Sequence, residues 1–386
     1  MPVSSPYDVL SADSAYHDKP YLNTAAEGLP LASCLDAVRQ YSTEKCLGEP
    51  GRVFFWNQYQ RAKESAAQLF SVDPTQIALV SSTTEALNTI AQSIDWQPGD
   101  EILLTSIEFP SNIFPWVMLQ RMGVRLRIVS PGPTGISIDE LLENINPRTK
   151  LVTISQVSYA TGEQLDPEPI WQRVRDTNTI LCVDATQAAG RVPVRGDVAD
   201  FTIASAFKWL NSIHGTAIMS VSSRVLNSQI IGPAGWLSAE SCFTEDRFDT
   251  FHPRRDAQRF QAGMPNFASV YSVAEALAFH TPQRVQEQAS QQASLIQHVR
   301  ERLLEMGFDV LLPEEPSRQA GIVSFRCPAA TRWKQELALH GCYVQGDDGR
   351  IRVAVHWYNN EQQIEQFLEA LACVRDRDPI PIHGPA

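Results

Sequence analysis

Two titratable side chains stand where apolar runs end. Leu181-Cys-Val-Asp184 reads as a buried strand closing on a carboxylate. Phe201-Thr-Ile-Ala-Ser205-Ala-Phe-Lys208 reads as another strand, running into a turn that carries a lysine. An amine so placed can hold an aldehyde as a Schiff base. A carboxylate on the neighbouring strand can keep a pyridine nitrogen protonated. Upstream, Ser81-Ser82-Thr83-Thr84 opens a helix and offers hydroxyls and free N–H groups to a phosphate. Aldehyde, pyridine nitrogen and phosphate occur together in pyridoxal phosphate (PLP), so these residues point to that cofactor.

Other side chains extend the constellation. Gln187 can donate to the phenolate oxygen of such a cofactor, and Ser205 can add a hydroxyl at its phosphate. Phe109, in Glu108-Phe-Pro-Ser-Asn112, can stack on a pyridine face. Arg352 lies in Arg350-Ile-Arg352-Val-Ala-Val-His356, late in the chain. A guanidinium there can hold an α-carboxylate through two parallel hydrogen bonds, which suits an amino-acid substrate. Lys208, once displaced, would be the base that moves the Cα proton.

These residues need a scaffold that brings strand ends together. From about 65 to 221, short apolar runs alternate with helical patterns, which predicts an α/β fold with a mostly parallel buried sheet. Ser82-Thr83-Thr84-Glu85 reads as a capping box, followed by one apolar helical face. Val124, Leu126 and Ile128 alternate as in a strand. Helices are expected over 31–47, 270–305 and 361–375, and strands over 321–326 and 350–355. The division expected is an N-terminal arm at 1–20, a large domain at 21–265 and a smaller C-terminal α/β domain at 266–386. Ligands of such sheets bind beyond the carboxyl ends of the strands, where Asp184 and Lys208 fall.

The chain has 386 residues and a net charge of −12. That balance argues against nucleic acid or an anionic membrane as the main partner. Seven scattered cysteines form no CxxC pair and no plausible disulfide framework. No signal peptide or long apolar span is visible, so the cytoplasm is the expected location. No metal site is expected.

Taken in order, these segments resemble the class V aminotransferase group of fold-type I PLP enzymes. That group includes cysteine desulfurases, selenocysteine lyases, cystine C–S lyases, kynureninases and isopenicillin N epimerases. The resemblance runs from Tyr21 to about Leu368. Ser82-Thr83-Thr84-Glu85-Ala86-Leu87-Asn88 is similar to the group's phosphate-binding helix start, and Val183-Asp184-Ala-Thr-Gln187 to its Asp-x-x-Gln segment. Arg259-Phe-Gln-Ala-Gly-Met264-Pro-Asn266 resembles the segment that reaches into the partner subunit's site, which implies a homodimer contacting through Met264 and Asn266. Arg352 followed by Tyr358-Asn359 resembles the group's carboxylate-binding strand.

The departures narrow the expectation. Phe109 stands where desulfurases have a stacking histidine, and Phe207 where they have a histidine before the lysine. Tyr159 takes the place of an asparagine beside the phenolate oxygen, and Met264 that of a threonine. The loop that carries a persulfide-forming cysteine in desulfurases is cut to Gln345-Gly-Asp-Asp-Gly-Arg350. The resemblance therefore implies a C–S lyase: a β-eliminating enzyme on a cysteine-derived substrate that uses no enzyme thiol. An aminotransferase, epimerase or decarboxylating enzyme on the same scaffold is the alternative, followed by a non-catalytic PLP-fold protein. Arg52, Glu27 and His356 are candidate substrate contacts, although a solvated or structural role is the commoner one for such side chains.

Overall fold

The computed structural model describes residues 10, 16, 19–132 and 134–378. Apart from positions 10, 16, 19 and 20, the expected N-terminal arm lies outside the described residues.

Seven strands form the large sheet: β1 (Ile77–Val80), β2 (Glu101–Thr105), β3 (Arg125–Val129), β4 (Thr149–Ser155), β5 (Ile180–Asp184), β6 (Phe201–Ser205) and β7 (Ala217–Val221). Their spatial order is β1-β7-β6-β5-β4-β2-β3. Only β7 runs against its neighbours, pairing antiparallel with both β1 and β6. The rest are parallel, as the continuous apolar runs imply, because helices cover both faces. β3 at the edge departs from the expected alternation. Val124 just before it and Val129 at its end are buried, whereas Ile128 is 56% exposed.

Helix α3 (Thr83–Ser93) follows β1 directly. Ser82 caps it, its Oγ accepting from the Glu85 N–H at 3.1 Å. The expected capping box is offset by one residue. The Glu85 carboxylate accepts from the Ser81 N–H at 2.8 Å instead of reaching the N-cap amide. This holds the β1–α3 turn closed from both sides.

Helices α1 (Ala32–Lys45) and α2 (Arg52–Phe70) pack with the helix Phe267–Phe279 in one hydrophobic core, against Ile77, Leu79 and Ala204 of the large sheet. A second core joins the three-stranded sheet β8 (Ile322–Arg326), β10 (Arg350–Ala354) and β9 (Gln345–Asp347) to the helices that cover it. Leu22 is buried in that second core, and Tyr21 and Asn23 bridge to Tyr343 and Ala354. The segment 21–23 thus lies against the small sheet before the chain builds the large one and returns.

The single helix expected over 270–305 is two: Phe267–Phe279 and Pro282–Glu305. Thr281 caps the second, accepting from the Arg284 N–H at 3.3 Å, and Pro282 has no amide to continue the first. A Thr-Pro pair is a helix start, so one helix ends before it and a second begins. No helix among the described residues is long and apolar enough to cross a membrane.

Candidate active site

The carboxyl ends of β4, β5 and β6, the start of α3 and the β9–β10 hairpin surround a cavity of about 630 Å³. Asp184 is the last residue of β5 and is 5% exposed. One of its oxygens accepts from the Thr186 N–H at 2.9 Å, a tight turn that aims the carboxylate across the strand ends. Burial pushes this carboxyl up from its ordinary range, while Thr186 and the charge of Lys208 pull it down. A protonated ring nitrogen would stabilise its charged form.

Lys208 lies three residues past β6. Its Nζ stands 5.4 Å from the Phe109 ring centroid and 5.7 Å from that of Phe207. Burial between these rings, and next the charge of Arg352, push its amine down to about 8. The lysine turn is clamped from outside. The Gly28 N–H donates to the Phe207 carbonyl at 2.9 Å, and a Cβ on Gly28 would meet the Lys208 carbonyl oxygen at 1.9 Å. Only glycine permits that approach.

The hydroxyl groups converge at the start of α3. Thr83 Oγ1 lies 2.6 Å from Ser205 Oγ and 3.2 Å from Thr186 Oγ1, and Thr84 Oγ1 lies 2.8 Å from Ser111 Oγ. First-turn amides of a helix have no intrahelical partner, and Ser82 takes that of Glu85. The Thr83 and Thr84 amides thus face the cup with the helix dipole behind them, a site for an anion. Gln187 is fixed by both ends of its amide: Oε1 accepts from Trp209 Nε1 at 2.6 Å, and Nε2 donates to the Ala25 carbonyl at 2.9 Å. Its second amide proton is left for a ligand in the cavity that Gln187 lines.

Arg352 is 8% exposed, and one of its amino groups donates to the Tyr159 carbonyl at 3.1 Å. Tyr159 presents its ring edge-on to Phe109, at 5.1 Å between centroids. Burial, then the charge of Arg350, push the Arg352 guanidinium down to about 10, still cationic near neutral pH. The cavity therefore has an anion cup at one end, a buried carboxylate below, an amine at its wall and a guanidinium on the side of the small sheet. These residues fit PLP and an amino-acid carboxylate together.

The fold brings Thr83, Thr84, Phe109, Tyr159, Asp184, Gln187, Ser205, Lys208 and Arg352 to one cavity. It sets the other candidates apart. His356 does not line the cavity. It is 1% exposed, its Nε2 lying 2.9 Å from both the Trp209 carbonyl oxygen and Asn211 Oδ1. Burial holds that imidazole well below its ordinary pKa, so it braces the turn after Lys208 as a neutral ring. Glu27 is half-exposed near the mouth, with its Oε2 3.4 Å from His214 Nε2. Arg52 is exposed at the first turn of α2. Met264 and Asn266 line a separate cavity of about 270 Å³ beside Ser81 and Thr216. Two residues went unread in the sequence: Thr186, signalled by its place two residues after Asp184, and Arg350, two before Arg352 on β10.

The sequence model of the aminotransferase class-V family matches residues 21–367. The chain belongs to that family. PLP is the family's cofactor, and the protein is an enzyme of that class. A probable cysteine desulfurase of Pyrococcus abyssi is 24% identical over 338 residues, covering 81% of this chain and 82% of that protein. Two solved structures share the fold. One is the cystine C–S lyase C-DES with its product cysteine persulfide: TM-score 0.83, 22% identity, 92% of this chain and 97% of that one. The other is a lysine-to-alanine mutant of C-DES with glycine covalently linked to its PLP cofactor: TM-score 0.83, 22% identity, 92% and 96% coverage.

The depressed Lys208 amine has a measurable consequence. Only the neutral amine is a nucleophile. Covalent uptake of PLP by the apoprotein should therefore speed up with rising pH, with a midpoint near 8. Borohydride trapping at timed intervals, between roughly pH 6 and roughly pH 10, measures this. A midpoint near the ordinary lysine value would show that burial does not act on this amine.

Proposed function

We propose that this enzyme is a C–S lyase, cleaving the Cβ–S bond of a cysteine-derived amino acid by α,β-elimination with Lys208 as base and no enzyme thiol. The observation that carries this reading is the lining of the cavity: it includes Lys208, Asp184 and Arg352 but no cysteine. Cys342, the thiol nearest in sequence to the β9–β10 hairpin, is 1% exposed in the second core, and burial pushes its thiol up to about 11. Such a thiol is neither accessible nor ionised at neutral pH.

PLP, when bound, supplies an electron sink for the pair released at the substrate Cα. With PLP bound, Asp184 would hold the ring-nitrogen proton that makes the sink effective. The Thr83–Thr84 amides with the Thr83, Thr84 and Ser205 hydroxyls would bind the phosphate, Phe109 would pack on the ring, and Gln187 and Tyr159 would be available to the phenolate oxygen. Arg352 orients the α-carboxylate. The Lys208 amine takes the Cα proton, and the sulfur leaves with the bond pair.

We also infer a homodimer. Exposed Leu47, Val53 and Phe54 flank Arg52, and exposed Met264 borders the cavity next to the phosphate-binding turn. A second subunit would cover this surface, bringing Arg52, Met264 and Asn266 toward an active site across the interface. Glu27, at the mouth, would meet distal substrate groups. The cytoplasm is the location proposed.

The test is a product survey with purified holoenzyme and a panel of cysteine, cystine, S-conjugate and non-sulfur amino acids. The lyase should release pyruvate and a thiol or persulfide in equal amounts from a sulfur-bearing member. Conversion of the bound cofactor to its pyridoxamine form would identify a transaminase, and alanine with sulfur left on a protein cysteine would identify a desulfurase. Either result overturns the lyase reading.

A further inference from the structure

We propose that Arg350 is a second anion-recognition residue, at the mouth of the cavity, which selects substrates whose sulfur substituent carries a carboxylate. This rests on the lyase reading above and narrows its substrate class. Arg350 and Arg352 are two residues apart on β10, so both side chains leave the same face of the strand, with their backbones roughly 6.6 Å apart. Both line the cavity. Arg352 is the deeper: its Nε is buried with no hydrogen-bond partner among the described residues, a donor awaiting a ligand. Arg350 lies further out, its guanidinium carbon 5.1 Å from the Tyr159 ring centroid. Tyr159 thus forms a common floor, touching Arg352 through its carbonyl and Arg350 through its ring.

Arg350 is weakly committed within the protein. Its ion pair is with Asp348 at 3.4 Å, and the Asp348 side chain is 68% exposed. Such a pair contributes no more than about 1 kcal/mol, so a ligand carboxylate can take its place. Asp347, the other acid on the rim, is engaged by the Gln345 amide and lies 3.9 Å from Lys334. The hairpin turn is held by left-handed backbone at Asp348 (φ 53°) and Gly349 (φ 68°), which sets Arg350 on the strand. An α-carboxylate on Arg352 leaves a distal carboxylate about one strand repeat away, within reach of Arg350. In S-carboxymethylcysteine five bonds separate the two carboxylate carbons, roughly 6 Å when extended, which is close to the backbone repeat between the two arginines.

The experiment titrates holoenzyme with three cysteine thioethers and follows the absorbance of the bound cofactor. S-carboxymethylcysteine carries the distal anion, S-carbamoylmethylcysteine is its neutral isostere, and S-(2-aminoethyl)cysteine carries a distal cation. The expected Kd of the carboxylate is at least about tenfold below that of the amide, and this ratio collapses toward one in Arg350→Gln. Equal wild-type affinities, a ratio unchanged in Arg350→Gln, or tightest binding of the cationic thioether would each overturn the proposal. The last result would assign the rim to Asp347 and Asp348. The wild-type comparison decides the first point whatever the variant's stability. Thiol release is read in the same samples. Discrimination without release sinks the lyase reading and leaves Arg350 in its role, and release without discrimination does the reverse.

Discussion

Replacing Lys208 with alanine should lower turnover by about a thousandfold or more, since it removes both the proposed covalent anchor and the proposed base at Cα. The same variant should still bind PLP. The contacts proposed to hold the phosphate and ring belong to other elements: the Thr83–Ser205–Thr186 hydroxyl cluster at the start of α3, and Asp184 at the end of β5. Steady-state rates, with cofactor titration by absorbance, separate the two effects. Borohydride should no longer fix the cofactor to the chain. Wild-type turnover in Lys208→Ala would overturn the assignment of the whole site, because no other amine lines the cavity among the described residues.

Arg352→Ala should cut kcat/KM for α-amino acids by about a hundredfold to ten-thousandfold, mainly through KM. Hydrogen bonds to a charged partner contribute roughly 1.5–3 kcal/mol each, and a bidentate carboxylate contact loses two. Arg352→Lys should recover only part of this, since an ammonium cannot present two parallel donors. The variant also strips the Tyr159 carbonyl of its donor. Comparing each amino acid with its carboxamide isolates the carboxylate contribution: the preference for the acid should fall in Arg352→Ala. An unchanged preference would place carboxylate binding elsewhere.

The reach of sequence reading differed from residue to residue. Asp184 and Lys208 were legible because each ends an apolar run, and in a parallel sheet such ends face one crevice. Thr83 and Thr84 were legible because a helix start after a short strand advertises free amides. His356 was not. It follows β10 closely, as Arg352 belongs to it, yet its side chain turns into the Trp209–Asn211 turn, which lies about 145 residues away in the chain. No local period reports which side of a strand end packs against another element. The break at Thr281-Pro282 was present in the sequence as an N-cap and N1 pair. The exposure of Ile128 follows from the edge position of β3, which depends on strand order rather than on the strand's own residues.

Local residue types and their spacing were enough to specify the α/β class and the cofactor, and to pick out Asp184, Lys208 and Arg352, which line one cavity, because strand ends, helix caps and side-chain charge are properties of short segments. The meeting of Arg350, Arg352 and Tyr159 with the Lys208 turn was settled only when the second sheet docked against the first. So was the exclusion of His356 and of every cysteine from the cavity lining. Those outcomes depend on crossover connections and on which faces bury together, and the free energy that decides them comes from packing between segments far apart in the chain.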